Sequence, residues 1–95
     1  MPYIKREDRK KYDRLVDELV NELSQCDKLP VGHINYIITT MLDKAISKHG
    51  LCYDNINAMM GVLSCISTEL YRRVAVPYEN KKIEQNGDVF TENNK

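Results

Sequence analysis

The chain has 95 residues, and its 14 Lys and Arg residues balance 14 Asp and Glu residues, so its formal net charge is zero. Zero net charge disfavours a protein that coats nucleic acids or membranes through a general basic excess. No apolar run approaches the ~20 residues that a membrane-spanning helix needs, and the charged start lacks the apolar segment of a signal peptide. We therefore expect a cytoplasmic, single-domain protein without a membrane partner.

The cysteine, histidine and glycine residues give no indication of catalysis or metal binding. Cys26, Cys52 and Cys65 include no CxxC pair, and His33 and His49 lack the spacing of zinc ligands. No GxSxG nucleophile motif, phosphate-binding loop or GxGxxG motif is present. We therefore expect a protein that is not an enzyme and that holds neither a metal nor a cofactor.

Residues 5–25 have the period of an amphipathic helix. Its apolar side is formed by Tyr12, Leu15, Val16, Leu19, Val20, Leu23 and Cys26. Glu7–Lys11 and Arg14–Glu18 have the i,i+4 spacing of ion pairs on a helix surface. Six basic against three acidic residues give residues 5–14 a net charge of +3, and acidic residues follow. A solvated face explains this basic stretch better than nucleic-acid binding, which would need reinforcement, for example by symmetry in a dimer.

Three further helices are predicted, over residues 32–48, 54–76 and 77–85. The apolar side of the second is Ile34, Ile37, Ile38, Met41, Leu42, Ala45 and Ile46, and Gly50 follows its end. Asp54 is the expected N-cap of the third, whose core face is Ile56, Met59, Met60, Leu63, Ile66, Leu70 and Val74. Pro77 is expected to kink or break this helix, and Asn86–Gly87 to stop the fourth.

These periods predict an all-α fold, a compact bundle of three to four helices. The expected domain covers residues 1–90, and residues 91–95 form a frayed tail. A folded chain of this size buries only about 60–65% of the surface that its unfolded form exposes. We therefore expect a homo-oligomer, since association would bury more.

The third predicted helix also carries a stripe of small or polar residues. Its members are Asn57, Gly61, Ser64, Cys65, Thr68 and Arg72. Gly61 costs ~1 kcal/mol relative to alanine inside a helix, so a compensating contact is expected. Two interpretations stay open: close packing against another helix, or a groove for a phosphate-bearing small molecule.

A basic cluster follows that stripe. If the chain bends at Pro77, Arg72, Tyr78 and Lys82 converge on one anion, with the Tyr78 ring free to stack on a base. The alternative is that these cations only compensate the carbonyl end of a helix. Arg73 is expected to pair with Glu69 four residues earlier. The candidate ligand-binding residues are Arg72, Arg73, Tyr78, Lys82, Asn57, Thr68 and Asn35.

Three segments carry a resemblance to a known family. They are MPYI followed by DR at residues 8–9, GHINYIIT at residues 32–39, and ELYRRVAVPYENKKIEQNGDV at residues 69–89. The chain thereby resembles a family of small uncharacterised helical proteins of bacteria and their phages. The resemblance implies the all-α fold and a phage or prophage origin, and it brings no activity with it.

The expected function is non-enzymatic sequestration of a phosphate-bearing nucleotide. In size, expected self-association and basic cluster the chain is similar to phage proteins that sequester nucleotide signals of bacterial immunity, which is an analogy of class only. The alternative is a structural or adaptor protein that acts through protein–protein contacts. A small DNA-binding regulator is a third possibility.

Overall fold

A computed structural model describes residues 1–92, and those residues contain helices and no strands. The elements are α1 (Arg6–Leu23), α2 (Val31–His49), α3 (Tyr53–Leu70), a π-helix (Tyr71–Ala75) and α4 (Val76–Asn86). The all-α prediction is confirmed. The predicted tail falls partly on residues 93–95, which lie outside the described residues.

Local contacts hold both ends of α1. At the start, Arg9 Nε donates a hydrogen bond to the Ile4 carbonyl at 2.9 Å. At the end, the backbone N–H and the hydroxyl of Ser24 both bond the Val20 carbonyl, at 2.9 and 2.8 Å. The two Ser24 bonds satisfy a carbonyl of the last turn, a group that a helix end otherwise leaves without a partner. The helix α1 ends two residues earlier than predicted.

The predicted ion pairs on α1 are half right. Arg14 and Glu18 approach to 3.7 Å, as their spacing predicts. Lys11 pairs with Asp8 at 3.6 Å, so the predicted pair with Glu7 is wrong. Residues three and four apart are both neighbours on a helix surface, and spacing alone does not choose between them.

A glycine and an asparagine form the junction between α2 and α3. Gly50 has a φ of 123°, which L-residues with side chains rarely adopt, and its N–H bonds the Ile46 carbonyl at 2.7 Å. Asn55 Nδ2 donates to the Gly50 carbonyl at 2.9 Å. Because α3 begins at Tyr53, Asp54 lies inside its first turn, and its prediction as the N-cap is wrong.

The backbone stays helical from Tyr53 to Asn86, through Pro77. Just before this proline the helix widens into the π-helical turn, closed by a bond from the Val76 N–H to the Tyr71 carbonyl. Proline has no N–H and its ring clashes with the carbonyl four residues earlier, and a wider turn relieves that clash. Gly87, with a φ of 87°, then ends α4 as predicted.

No residue among the described 1–92 is buried. The chain divides into two units, one of residues 1–60 and one that begins at Gly61. Within the first unit, α1 and α2 meet at a corner and do not pack along their lengths. The apolar sides predicted from the sequence therefore exist, but neither unit fully buries them among residues 1–92.

Candidate functional site

The most conspicuous surface feature of α1 is its apolar side, here called the α1 stripe: Tyr12, Leu15, Val16, Leu19 and Val20. These side chains are between 42% and 55% exposed. Full burial of a Val or Leu side chain is worth ~1.5–3 kcal/mol, and about half of that free energy is unrealised in the isolated chain. The α1 stripe is therefore a half-exposed apolar surface.

The helices α2 and α3 also present apolar side chains to solvent. Met41 of α2 is 57% exposed, and Met60 and Leu70 of α3 are 61% and 62% exposed. The most covered positions, such as Ile37, Leu42 and Ile46, are only half-buried. Each of these helices therefore carries large apolar side chains that the isolated chain leaves exposed.

The predicted basic cluster is only partly brought together. Lys82 Nζ lies over the ring of Tyr78, 5.5 Å from its centroid. Arg72 belongs to the π-helical turn ten residues before Lys82. Ten helical residues span about 15 Å along the axis, so the continuous helix separates Arg72 from Lys82 instead of folding them onto one anion.

The ion pair of Glu69 differs from the predicted one. Arg72 Nη2 bonds both carboxylate oxygens of Glu69, at 3.0 and 3.2 Å. Arg73 makes no ion pair within residues 1–92, so the predicted Arg73–Glu69 pair is wrong. An anion binding at Arg72 would compete with this internal carboxylate.

The residues predicted to form hydrogen bonds to a ligand either already make hydrogen bonds within the chain or belong to different units. The Thr68 hydroxyl donates to the Ser64 carbonyl at 3.0 Å. Asn35 Oδ1 accepts from the Thr39 hydroxyl at 3.2 Å. Asn57 is exposed in the first half of α3. Asn35 and Asn57 belong to the first unit, and Thr68 to the second.

Gly61 lies in open space within the chain. A Cβ added to this residue would meet nothing within 4 Å. The compensating contact that a glycine inside a helix requires is therefore absent from the isolated chain. The close-packing and ligand-groove interpretations of the stripe around Gly61 therefore both stay open.

The corner of α1 and α2 holds an open groove of about 520 Å³ that the sequence did not lead us to expect. Its lining includes Glu22, Cys26, His33 and Tyr36. Two features of the sequence could have indicated this groove. Pro30 disfavours a continuous helix between α1 and α2, and Tyr36 is exposed in the second turn of α2. No group of three His, Cys, Asp or Glu residues within the described range is placed to hold a metal ion. Likewise, no helix in that range is long and apolar enough to cross a bilayer.

Comparison with known proteins gives one family. No match was found among curated proteins or among solved structures. A family model described as a domain of unknown function, DUF6899, matches residues 1–89. That match covers nearly the whole chain, including all four α-helices, and the chain belongs to the DUF6899 family.

Proposed function

We infer that this protein acts through protein–protein contacts, as a non-catalytic helical subunit whose apolar surfaces are covered by other chains. One observation carries the proposal: among residues 1–92, no side chain is buried. An isolated chain of this kind realises little of the hydrophobic free energy that offsets the conformational entropy of folding. Association would supply the missing burial.

The helical bundle expected from the sequence is compatible with this function if its helices come from different chains. Amphipathic helices pack by interdigitating their apolar sides, and α1, α2 and α3 each offer one. Obligate interfaces resemble a domain core divided between subunits, and they bury about 2,000 Å² or more in total.

The direct test is the mass of the purified protein in solution, measured by light scattering across a range of concentrations. The expected result is a discrete multiple of 11.1 kDa that persists at low micromolar concentration, with cooperative unfolding. A stable, cooperatively folded monomer would contradict the proposal, because such a monomer would need a core of its own.

The second candidate is sequestration of a phosphate-bearing nucleotide, the role of a phage-encoded protein against bacterial immune signals. The observation that favours it is the Lys82–Tyr78 contact, which places a cation and an aromatic ring side by side. This candidate ranks second for two reasons. Arg72 is already paired with Glu69, and the helix continues through Pro77, which separates Arg72 from Lys82 along its axis.

Calorimetry with cyclic dinucleotides and ADP-ribose derivatives tests the second candidate. Binding that Lys82→Ala weakens at least tenfold, and that Lys48→Ala leaves unchanged, would support it, since Lys48 lies on α2 outside the basic cluster. Absence of binding across the panel, or binding that Arg72→Ala and Lys82→Ala both leave unchanged, would refute it.

A further inference from the structure

Four apolar residues follow one another at a constant interval of four, from α3 through the π-helical turn into α4. They are here called the 66–78 row: Ile66, Leu70, Val74 and Tyr78. All four lie in the second unit of the chain, and each is between 48% and 62% exposed. Lys82, which lies over the Tyr78 ring, continues the same interval.

A regular α-helix would not keep this row on one side. With 3.6 residues per turn, each step of four residues passes a full turn by about 40°. The three steps from Ile66 to Tyr78 would therefore carry the row about 120° around the helix. Tyr78 and Lys82 would then lie on a flank, away from the side of α3 that carries Ile66 and Leu70.

The π-helical turn removes most of this rotation. Its hydrogen bond joins the Val76 N–H to the carbonyl of Tyr71, five residues earlier, so this turn holds one residue more than an α-helical turn does. One residue accounts for about 100° of rotation in an α-helix, so about 20° of the 120° remains. The 66–78 row therefore keeps to one side of the helix from α3 into α4.

We propose that Pro77 is the positioning residue that sets this register, and that it places Tyr78 in line with the apolar side of α3. In an α-helix, Pro77 would have no N–H to bond the Arg73 carbonyl, and its ring would clash with that carbonyl. The wide turn before the proline avoids the clash and takes up the extra residue. The proposal rests on the proposed function, because an unbroken row is a surface that another chain can contact along its length.

The first test is the crystal structure of Pro77→Ala. Alanine supplies the missing N–H and removes the ring, so the helix is expected to become α-helical throughout, with the Val76 N–H bonded to the Arg72 carbonyl. Tyr78 is then expected to lie about 100° further around the helix from α3. A variant that keeps the bond from Val76 to Tyr71 would overturn the proposal, because the π-helical turn would not depend on the proline.

The second test is a compensation experiment, with self-association measured by sedimentation equilibrium. Pro77→Ala is expected to associate at least tenfold more weakly than the parent chain, since α4 rotates relative to α3. Deletion of Arg73 alone is expected to weaken association similarly, because the proline keeps the wide turn while the chain before it is one residue shorter. The two changes together are expected to restore the parent's association, since an α-helix with one residue fewer brings Tyr78 back into line.

Arg73→Ala is the matched control for the deletion. It removes the same side chain, which makes no ion pair within residues 1–92, and keeps the chain length, so the parent's association is expected. Alanine favours a helix more than proline does, so weaker association in Pro77→Ala does not come from a lost helix.

Two outcomes of the compensation experiment would overturn the proposal. They are unchanged association in Pro77→Ala, and a combined variant that associates no more tightly than the single ones. A monomeric parent chain would instead overturn the proposed function, and the hydrogen bond of Val76 in the crystal structure of Pro77→Ala would still decide the role of the proline.

Discussion

The helix α1 and the segment from Glu69 to Lys82 use opposite means of stabilisation. The segment makes its contacts within the chain: Arg72 bonds Glu69, and Lys82 lies over Tyr78. The α1 stripe makes no comparable contact, and its side chains stay about half exposed. A partly exposed ion pair such as Glu69–Arg72 is worth about 1 kcal/mol, whereas a covered apolar stripe would be worth several. Under the proposed function, the region that contributes most to stability is therefore the one covered by a partner.

The largest expected effect comes from breaking the α1 stripe. Leu19→Asp places a charge at the centre of the surface that another chain is proposed to cover, and burial of an unpaired charge costs several kcal/mol. We expect loss of assembly and of cooperative unfolding, measured by light scattering and by circular dichroism during urea titration.

The matched control for this change is Asn21→Asp. It adds the same charge to the same helix, on the side opposite the α1 stripe. We expect parent-like mass and stability within ~0.5 kcal/mol. Equal effects of the two substitutions would show that charge on α1, and not coverage of its stripe, controls stability.

An intermediate effect is expected at Gly61. In the isolated chain an added Cβ meets open space, so Gly61→Ala would stabilise the helix by up to ~1 kcal/mol if no other chain approached. If another backbone packs there, Gly61→Leu weakens assembly and Gly61→Ala gives little or no gain. Sedimentation equilibrium of both variants distinguishes these cases, and unchanged assembly in Gly61→Leu would place Gly61 outside any interface.

The smallest effect is expected at the Glu69–Arg72 pair. Arg72→Ala removes an ion pair whose arginine side chain is 58% exposed and whose glutamate side chain is 14% exposed, so the loss in the free energy of unfolding is expected to be about 1 kcal/mol. Arg73→Ala is the matched control, since Arg73 makes no ion pair within residues 1–92. A loss of several kcal/mol in Arg72→Ala, measured by urea titration, would mean that Arg72 also contacts a second chain.

The sequence predicted the helices better than it predicted their partners. The apolar period of α2 and the stops at Gly50 and Gly87 follow from local chemistry, and the structure has them within one or two residues. The π-helical turn before Pro77 was not predictable, because spacing does not show whether a proline breaks a helix or widens the turn before it. The convergence of Arg72 with Lys82 depended on that break.

The predicted core faces show a second limit of sequence periodicity. Periodicity identifies which side of a helix is apolar, and that identification holds for Leu19, Met41 and Leu63 alike. It does not identify whether the covering surface belongs to the same chain or to another one. The structure shows that these side chains stay exposed, and that they are covered by a second molecule is our proposal.

The most direct test of this dependence on partners is the urea midpoint of unfolding at two protein concentrations a hundredfold apart. If folding and association are one step, as for a dimer, the higher concentration adds about 2.7 kcal/mol to the stability. With a urea dependence of ~1–3 kcal/mol per molar, the midpoint is then expected to rise by about 1 M or more. A midpoint that is the same at both concentrations would show that the chain folds alone, and it would contradict the account.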